Sequence, residues 1–473
     1  MDVLLPFGTG AWLFIGIYLL SLIGIGWLAK RARLENSLAD FYLAGPGFGF
    51  AVLFLTLFAT QYSGNTFFAF TGATYRLGYV WILSLHFMTA VVVCYLLYAP
   101  HLYTLAKARG YVTPSDYVHD RFGDKRLTLL VTVTLIVVLC NFLLAQLMAM
   151  GRAMQGLATI NQDAAYIGGV VVLALIMVIY GTLGGLRAVA WTDDATRLLM
   201  ERDVADGTAK ALPQSPLRYR EWLSYVLTAG FAVSLYPQAV QRIYAARSAR
   251  ALRSSLAVMA FMPLPTMIIA LIAGIMAAAY IPGLEGAASD QIFGRVLRDI
   301  QEHSALGYGL VVVLLSAVLA AMMSTADSAL LSISSMFTKD IYARLFAPGA
   351  SQAHLTRVAK ACSWFTIVAL VGLAIALRHH ASLVALLDRK LDLLIQMVPV
   401  FMVGLRFPGM RPGPALAGLV TGIVVALVLA FGGFEFVVRG KVGGFHPGLV
   451  ALVVNLAVAV GGSLLPAEPR NPA

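Results

Sequence analysis

The chain has 473 residues, of which 60% are hydrophobic and only 12% are charged, and its formal net charge is +11. Soluble domains carry about 25% charged residues, so this composition excludes a soluble protein and predicts an all-α protein embedded in a lipid bilayer. The Lys and Arg residues lie in short loops between apolar segments. That distribution is typical of cytoplasmic loops and argues against nucleic-acid binding.

Twelve apolar segments are long enough to cross a membrane at about 20 residues each. No positive charge precedes the first, whereas Lys30, Arg31 and Arg33 follow it. We therefore expect an uncleaved anchor, with the N-terminus outside, in a multi-pass protein of the inner (plasma) membrane. Residues 1–473 would form one transmembrane unit with spans at 10–29, 48–71, 80–105, 127–149, 165–183, 222–241, 254–281, 307–335, 359–377, 382–405, 414–432 and 446–464.

Polar and small residues interrupt the second span near its middle, where residues 58–66 read FATQYSGNT. Broken helices at membrane depth are tolerated where they line a cavity, and their free carbonyls can bind Na⁺ or a solute. A close contact of small residues between helices is the alternative. If the break lines a cavity, the first candidates for binding a solute are Gln61, Ser63, Asn65 and Thr66.

A second interruption, at Tyr236, Pro237 and Gln238, lies near the end of the span 222–241. Tyr236 and Gln238 are further candidates for solute binding. An interrupted span thus begins each of two segments, 48–200 and 222–405, and each segment is built to hold five crossings. Because five is odd, consecutive units insert with opposite orientation, which predicts an inverted repeat. The segments 10–29 and 414–464 would be additional helices outside the repeat.

The charges of the loops conflict with a simple alternation of sides. Basic loops at 101–126 and 242–253 should both be cytoplasmic, and so should the end of the fifth span near Arg187. Only one predicted span separates Arg187 from Arg242, and residues 201–221 are too charged to cross lipid. We therefore predict that one crossing expected after Asp193 is missing and that the first repeat is incomplete.

Hydroxyl and carboxylate oxygens follow one face of the helix predicted over 321–342. At about 100° per residue, Ser324, Asp327, Ser328 and Ser335 fall within one narrow arc. Ionisable residues inside a membrane are by default functional-site candidates, so this arc predicts a cation site. Asp327 either balances the charge of a cation or makes an ordinary hydrogen bond between helices.

The tenth span contains a charged cluster, Asp388-Arg389-Lys390-Leu391-Asp392, in its outer third. Arg389 and Asp392 have the spacing of a helical ion pair. The cluster therefore has three possible roles: a local ion pair, an outer gate, or an anchor for a substrate carboxylate. Gln396, three residues before Pro399, either faces the solute cavity or joins two helices.

Four motifs resemble those of the sodium/solute symporter family: GGLRAVAWTD at 184–193, PQAVQR at 237–242, STADSAL at 324–330 and FTKDIY at 337–342. The resemblance covers nearly the whole chain. It implies a LeuT-type inverted repeat and import of a small organic solute (a sugar, amino acid, carboxylate or vitamin) coupled to Na⁺ by alternating access. Na⁺ would be a transported ion rather than a fixed cofactor.

The family's shared sodium site would fall on five residues of this chain. The resemblance implies ligation by the carbonyls of Ala59, Tyr62 and Ala321 and by the hydroxyls of Ser324 and Thr325. It also places Asp193 near the inner exit of the sodium path, although the helix that Asp193 should begin is absent.

Two other functions remain open. The missing crossing would suit a non-transporting relic or solute sensor of the same fold, and Asp327 could carry a proton in an H⁺-coupled symporter. The sequence shows no ATP-binding, nucleophile-elbow or zinc motif, so we expect no enzyme.

Overall fold

The computed structural model describes residues 7–11, 13–17, 48–180, 216–379, 382–438 and 440–466. Almost all of them are helical, so the predicted all-α architecture is confirmed. The main helices are α1 Phe50–Gln61, α2 Gly64–Leu77, α3 Leu83–Arg109, α4 Pro114–Phe122, α5 Lys125–Leu157, α6 Gln162–Tyr180, α7 Pro216–Ser234, α8 Pro237–Ala245, α9 Ala249–Met259, α10 Pro263–Tyr280, α11 Ile292–His303, α12 Ala305–Met336, α13 Gln352–Ala376, α14 Leu383–Leu394, α15 Pro412–Phe431 and α16 Pro447–Leu456.

Short elements connect or extend these helices. A two-stranded antiparallel hairpin pairs β1 Val437–Val438 with β2 Lys441–Val442. The remaining elements are the 3₁₀ turns Gly78–Ile82, Gly286–Gln291 and Ile395–Met397, the π-helical segments Phe337–Phe346, Pro399–Val403 and Ala457–Gly461, and the helical turns Gly404–Arg406 and Gly462–Leu464.

Within these described ranges, seven helices are long and apolar enough to cross a membrane, and a bent pair formed by α7 and α8 makes an eighth. They correspond to eight of the twelve predicted spans. The predicted spans 48–71 and 382–405 are broken into shorter pieces. The spans 10–29 and 165–183 run into residues outside the described part, as does the region after Asp193 where the crossing was predicted to be missing.

The break between α1 and α2 lies at Tyr62 and Ser63, whose backbones are extended. The N–H of Ser63, which a continuing helix would direct to the carbonyl of Ala59, donates instead to Thr66 Oγ1 at 3.1 Å. The break therefore leaves the carbonyl of Ala59 without its helical partner. A second break separates α7 from α8, which meet at 51°. Pro237 begins α8, and its missing N–H suits the first position of a helix.

A cluster of charges joins the short helix α4 to the π-helical segment Phe337–Phe346 that follows α12. Asp116 accepts hydrogen bonds from the N–H groups of Val112 and Thr113 at 2.8 and 2.9 Å. It also pairs with Lys339 and, at 3.1 Å, with Arg344. Burial alone would raise the pKa of the Asp116 carboxyl, but Lys339 and the two N–H groups outweigh it and hold that pKa below its ordinary value.

We expect Asp116→Asn to lower the stability of the protein by about 1–3 kcal/mol near neutral pH, because Lys339 loses its carboxylate and Arg344 keeps only Asp340 at 3.8 Å. A lowered folded-state pKa stabilises the protein above the ordinary carboxyl pKa of about 3.9, and this stabilisation disappears as the pH falls through the folded-state value. The difference in melting temperature between wild type and variant should therefore shrink in acid. Thermal unfolding of the detergent-solubilised protein across pH measures it.

The matched control is Asp120→Asn, because Asp120 pairs at 3.3 Å with Arg109, whose side chain is 61% exposed. Exposed pairs contribute at most about 1 kcal/mol. An Asp116→Asn protein that melts like the Asp120→Asn protein at neutral pH would contradict the prediction.

Candidate functional site

Three of the predicted sodium-site residues meet where α12 passes the break in the first helix. The hydroxyl of Thr325 lies 2.6 Å from the carbonyl oxygen of Ala59 and 2.9 Å from that of Ala321. A hydroxyl has a single proton, so it can satisfy only one of these acceptors at a time. The three oxygens therefore form a buried group with more acceptors than donors, which suits a cation.

The two other predicted ligands lie next to this group. Tyr62 is buried at the break itself. Ser324, beside Thr325 on α12, is half-buried, and among the described residues its hydroxyl has no hydrogen-bond partner. Its carbonyl accepts a hydrogen bond from Ser328 at 2.8 Å. The hydroxyl of Ser324 thus remains available for another ligand.

A half-buried arginine connects α1, α8 and α12. Arg242 of α8 donates from Nε to the hydroxyl of Thr56 on α1 at 2.8 Å and from Nη1 to the carbonyl of Gln238 at 2.7 Å. Its Nη2 donates to the hydroxyl of Ser328 on α12. The sequence showed Arg242 only as a loop cation, although PQAVQR was among its motifs.

Asp327, which the sequence singled out as a possible ion-path carboxylate, is buried on α12. Neither of its carboxylate oxygens has a hydrogen-bond partner among the described residues. An isolated ionised carboxylate in an apolar environment is very unfavourable, so Asp327 is either neutral or matched by a partner outside the described residues. Within the described part of the chain, no interhelical hydrogen bond to Asp327 is present. Asp193, the other predicted ion-path carboxylate, lies outside the described residues.

A small central cavity, of about 40 Å³, lies beside the first break. Both breaks contribute to it, with Gln61, Ser63 and Thr66 from the first and Tyr236 from the second. Four of the seven residues that the sequence predicted for solute binding therefore come together. The rest of its wall includes Phe70, Phe87, Met88, Phe142, Ala229, Val233, Leu387, Lys390 and Leu391.

Neighbouring side chains orient the polar residues of this wall. The amide nitrogen of Gln61 donates to the hydroxyl of Tyr95, and its amide oxygen has no partner in the described structure. The hydroxyl of Ser63 lies 3.1 Å from the amide nitrogen of Gln146 on α5. Gln146 was not predicted, because the sequence offered only a lone glutamine inside an apolar span.

The three other predicted solute residues are placed differently. Gln396 donates to the carbonyl of Gly448 at 2.8 Å and its carbonyl accepts from Asn455 at 2.9 Å, so it joins helices and does not line the cavity. Gln238 is buried outside the lining, with no partner for its amide among the described residues. The side chain of Asn65 lies outside the described part.

A buried network, which we call the Asp388 latch, lies one helical turn from the cavity wall. Asp388 on α14 pairs with Lys441 of the hairpin at 2.7 Å and accepts from the hydroxyl of Tyr225 on α7 at 3.0 Å. His446 completes the network, since it contacts Asp388 at 3.4 Å and the hydroxyl of Ser224 at 2.7 Å. The latch holds α14 against α7, and both helices contribute residues to the cavity wall.

A larger cavity, of about 340 Å³, lies between α2, α10, α11 and α12. Its wall is mainly apolar and reaches Tyr62 and Ala321 of the ion site. It offers few polar groups to a solute, whereas the smaller cavity is the one to which both breaks contribute polar side chains.

Two broken helices that meet around a central site define the chain as a secondary transporter of the inverted-repeat, LeuT-like class. Comparison with known proteins supplies the family. The chain belongs to the sodium:solute symporter family, whose model matches residues 41–202 and 195–422. The sequence-based assignment is thereby confirmed. Members of this family are membrane transporters, not enzymes.

Individual relatives and a solved structure agree with this assignment. A monocarboxylate transport permease protein of Rhizobium johnstonii is 25% identical and covers 98% of each chain. The sodium/glucose cotransporter of Vibrio parahaemolyticus is 24% identical over 88% of this chain and 84% of its own. A Na⁺-coupled sialic acid symporter, solved in a substrate-bound outward-open state, has a TM-score of 0.74 at 17% identity and covers 99% of this chain and 100% of its own. This likeness confirms the fold.

Proposed function

We propose that the chain imports a small organic solute by symport with Na⁺ across the plasma membrane, with its N-terminus outside. The observation that carries the proposal is the convergence of the Thr325 hydroxyl with the carbonyls of Ala59 and Ala321. With Tyr62 and Ser324 they offer five oxygens and no thiol or imidazole. Such a ligand set suits a hard monovalent cation.

The solute would bind in the central cavity, beside the broken helix that also holds the ion. Gln61, Ser63, Thr66 and Tyr236 supply its polar contacts. Because Ala59 and Gln61 belong to the same last turn of α1, an ion bound at Ala59 would restrain the residues that contact the solute. The two bindings are therefore expected to favour each other.

Alternating access follows from the positions of the two sites. A Na⁺ ion between Ala59 and Ser324 would tie α1 to α12, and binding of the solute would then close the outer side. A cation moving through −100 mV gains about 2.3 kcal/mol, and a tenfold inward gradient adds about 1.4 kcal/mol. At one-to-one coupling, these terms could concentrate a neutral solute about 500-fold.

We expect the purified protein in proteoliposomes to accumulate a solute only under an inward Na⁺ gradient, because ion and solute must bind together. The probes are one solute of each class that the family resemblance implies: glucose, proline, propionate and pantothenate. An ionophore that dissipates the gradient should release the accumulated solute, and protein-free liposomes are the control. Na⁺-dependent binding without any accumulation would favour the non-transporting relic or sensor.

Proton coupling is the second candidate, and the observation that favours it is the carboxylate of Asp327, which has no partner among the described residues. The same vesicles separate the two ions when Na⁺ is replaced by choline and the outside is made acidic. We expect no accumulation under these conditions. Acid-driven accumulation that Asp327→Asn abolishes would instead assign the coupling to a proton.

A further inference from the structure

Lys390 on α14 is buried in the membrane-spanning part of the protein, with only 1% of its surface exposed. Its ammonium group lies over the ring of Phe142 at 4.3 Å and over that of Tyr236 at 5.7 Å. The same side chain lines the central cavity together with Gln61 and Ser63. Lys390 therefore lines the cavity in which the proposed function places the solute.

No carboxylate in the described structure pairs with this ammonium group, and it makes no hydrogen bond there. The two acidic neighbours on α14 are engaged elsewhere. Asp388 pairs with Lys441 in the latch, and Asp392 pairs with Arg389 at 3.0 Å and accepts from the N–H of Gly448 at 2.8 Å.

When Lys390 is protonated, the described part of the chain compensates its charge only partly, through the two aromatic rings. A cation–π contact contributes about 0.5–2 kcal/mol, whereas an unpaired buried charge costs several kcal/mol. A second cavity on the other side of Lys390, lined also by Arg389 and Asp392, could supply water to the ammonium group. An anion in the central cavity would compensate the charge directly.

We infer that the transported solute is a small monocarboxylate whose carboxylate pairs with Lys390 beside Gln61 and Ser63. The inference rests on the proposed function, since it names the class of solute at the same site. One ammonium group matches one negative charge. The apolar wall formed by Phe87, Val233 and Leu391 suits a short hydrocarbon chain rather than a second carboxylate.

The size of the cavity supports a short chain. At roughly 10–15 Å³ for each water-sized probe, about 40 Å³ holds about three water molecules. Acids with two or three carbon atoms are close to this size. A monoanion that moves with one Na⁺ carries no net charge, so the Na⁺ concentration gradient rather than the membrane potential would drive uptake.

Melting temperatures of the wild-type protein provide the first test, because they need no substitution. Acetate, propionate, lactate and pyruvate are compared with their uncharged amides in buffers containing Na⁺ or choline. We expect at least one acid to raise the melting temperature in Na⁺, and its amide to bind about 100-fold more weakly or not at all. Equal binding of acid and amide would overturn the inference.

Lys390→Met tests whether Lys390 is the partner of the solute carboxylate. Methionine keeps the length and apolar packing of the side chain but removes its charge. We expect the variant to bind the acid about 100-fold more weakly than wild type does and to lose the preference for acid over amide. Lys360→Met is the matched control, because Lys360 on α13 is exposed. Unchanged affinity of a folded Lys390→Met protein for the acid would overturn the inference.

The effect of Na⁺ alone separates this inference from the proposed function. Na⁺ at the Ala59 and Thr325 site should raise the melting temperature of both wild type and Lys390→Met without any solute. If Na⁺ stabilises the protein but none of the four acids binds, the monocarboxylate inference fails and the symporter proposal stands. If Na⁺ itself has no effect, the ion site and the proposed function fail.

Discussion

Replacing both hydroxyls of the ion site, in Ser324→Ala combined with Thr325→Ala, is expected to abolish Na⁺-dependent solute binding. The double variant removes two of the five proposed ligand oxygens, including the one that lies within hydrogen-bond distance of the carbonyls of both Ala59 and Ala321. Contacts to a charged group contribute about 1.5–3 kcal/mol each. Na⁺ binding should therefore weaken at least about 100-fold, as measured by Na⁺ titration of the melting temperature or by binding of radioactive sodium.

Two other serines of α12 provide the control. The hydroxyl of Ser316 donates to the carbonyl of Val312 at 2.8 Å, and that of Ser334 donates to the carbonyl of Leu331 at 3.0 Å, so both bond within their own helix. Ser316→Ala combined with Ser334→Ala should keep the Na⁺ response of wild type. Unchanged Na⁺ dependence in the Ser324→Ala, Thr325→Ala protein would remove the ion assignment.

The fold and the two breaks could be predicted from the sequence because their causes are local. Gln61, Ser63 and Gly64 interrupt a segment that is otherwise apolar, and Pro237 removes a backbone donor. The ion site was predicted from the family resemblance, and an arc of side-chain oxygens that includes Ser324 separately indicated a cation on the same helix. In the structure, the hydroxyl of Thr325 reaches the carbonyl of Ala59 across 266 positions of the chain.

The sequence left several alternatives open for the cluster that contains Lys390 and for Gln396, because the choice depends on how α14 and the turns that follow it are rotated against other helices. The spacing of Arg389 and Asp392 predicts their ion pair, which is present at 3.0 Å. The same spacing does not say that Lys390, one of the two residues between them, faces Phe142. From the sequence, Gln396 could either face the cavity or join two helices. Its partner Asn455 lies 59 positions away in the chain.

Among the ion pairs of the described residues, the Asp388 latch is expected to be the most sensitive to loss of one partner. Asp388→Ala would leave Lys441 with an uncompensated charge, and only 7% of the Lys441 side chain is exposed. Breaking a buried pair by removing one partner costs about 3–5 kcal/mol, because the other charge remains buried. Thermal or denaturant unfolding in lipid nanodiscs measures this loss.

Asp388→Ala combined with Lys441→Met distinguishes instability caused by an unpaired charge from instability caused by a loss of packing. If the unpaired charge causes the instability, removing Lys441 as well should restore most of the stability, since a buried pair and apolar side chains of similar volume are often nearly equivalent.

Asp163→Ala is the control, because Asp163 is 45% exposed and faces Arg378 at 3.5 Å, so its loss should cost at most about 1 kcal/mol. A double variant no more stable than Asp388→Ala would show that Asp388 acts mainly through Tyr225 and His446. Recovery of stability without recovery of solute uptake would show that the latch also serves to close the cavity during transport.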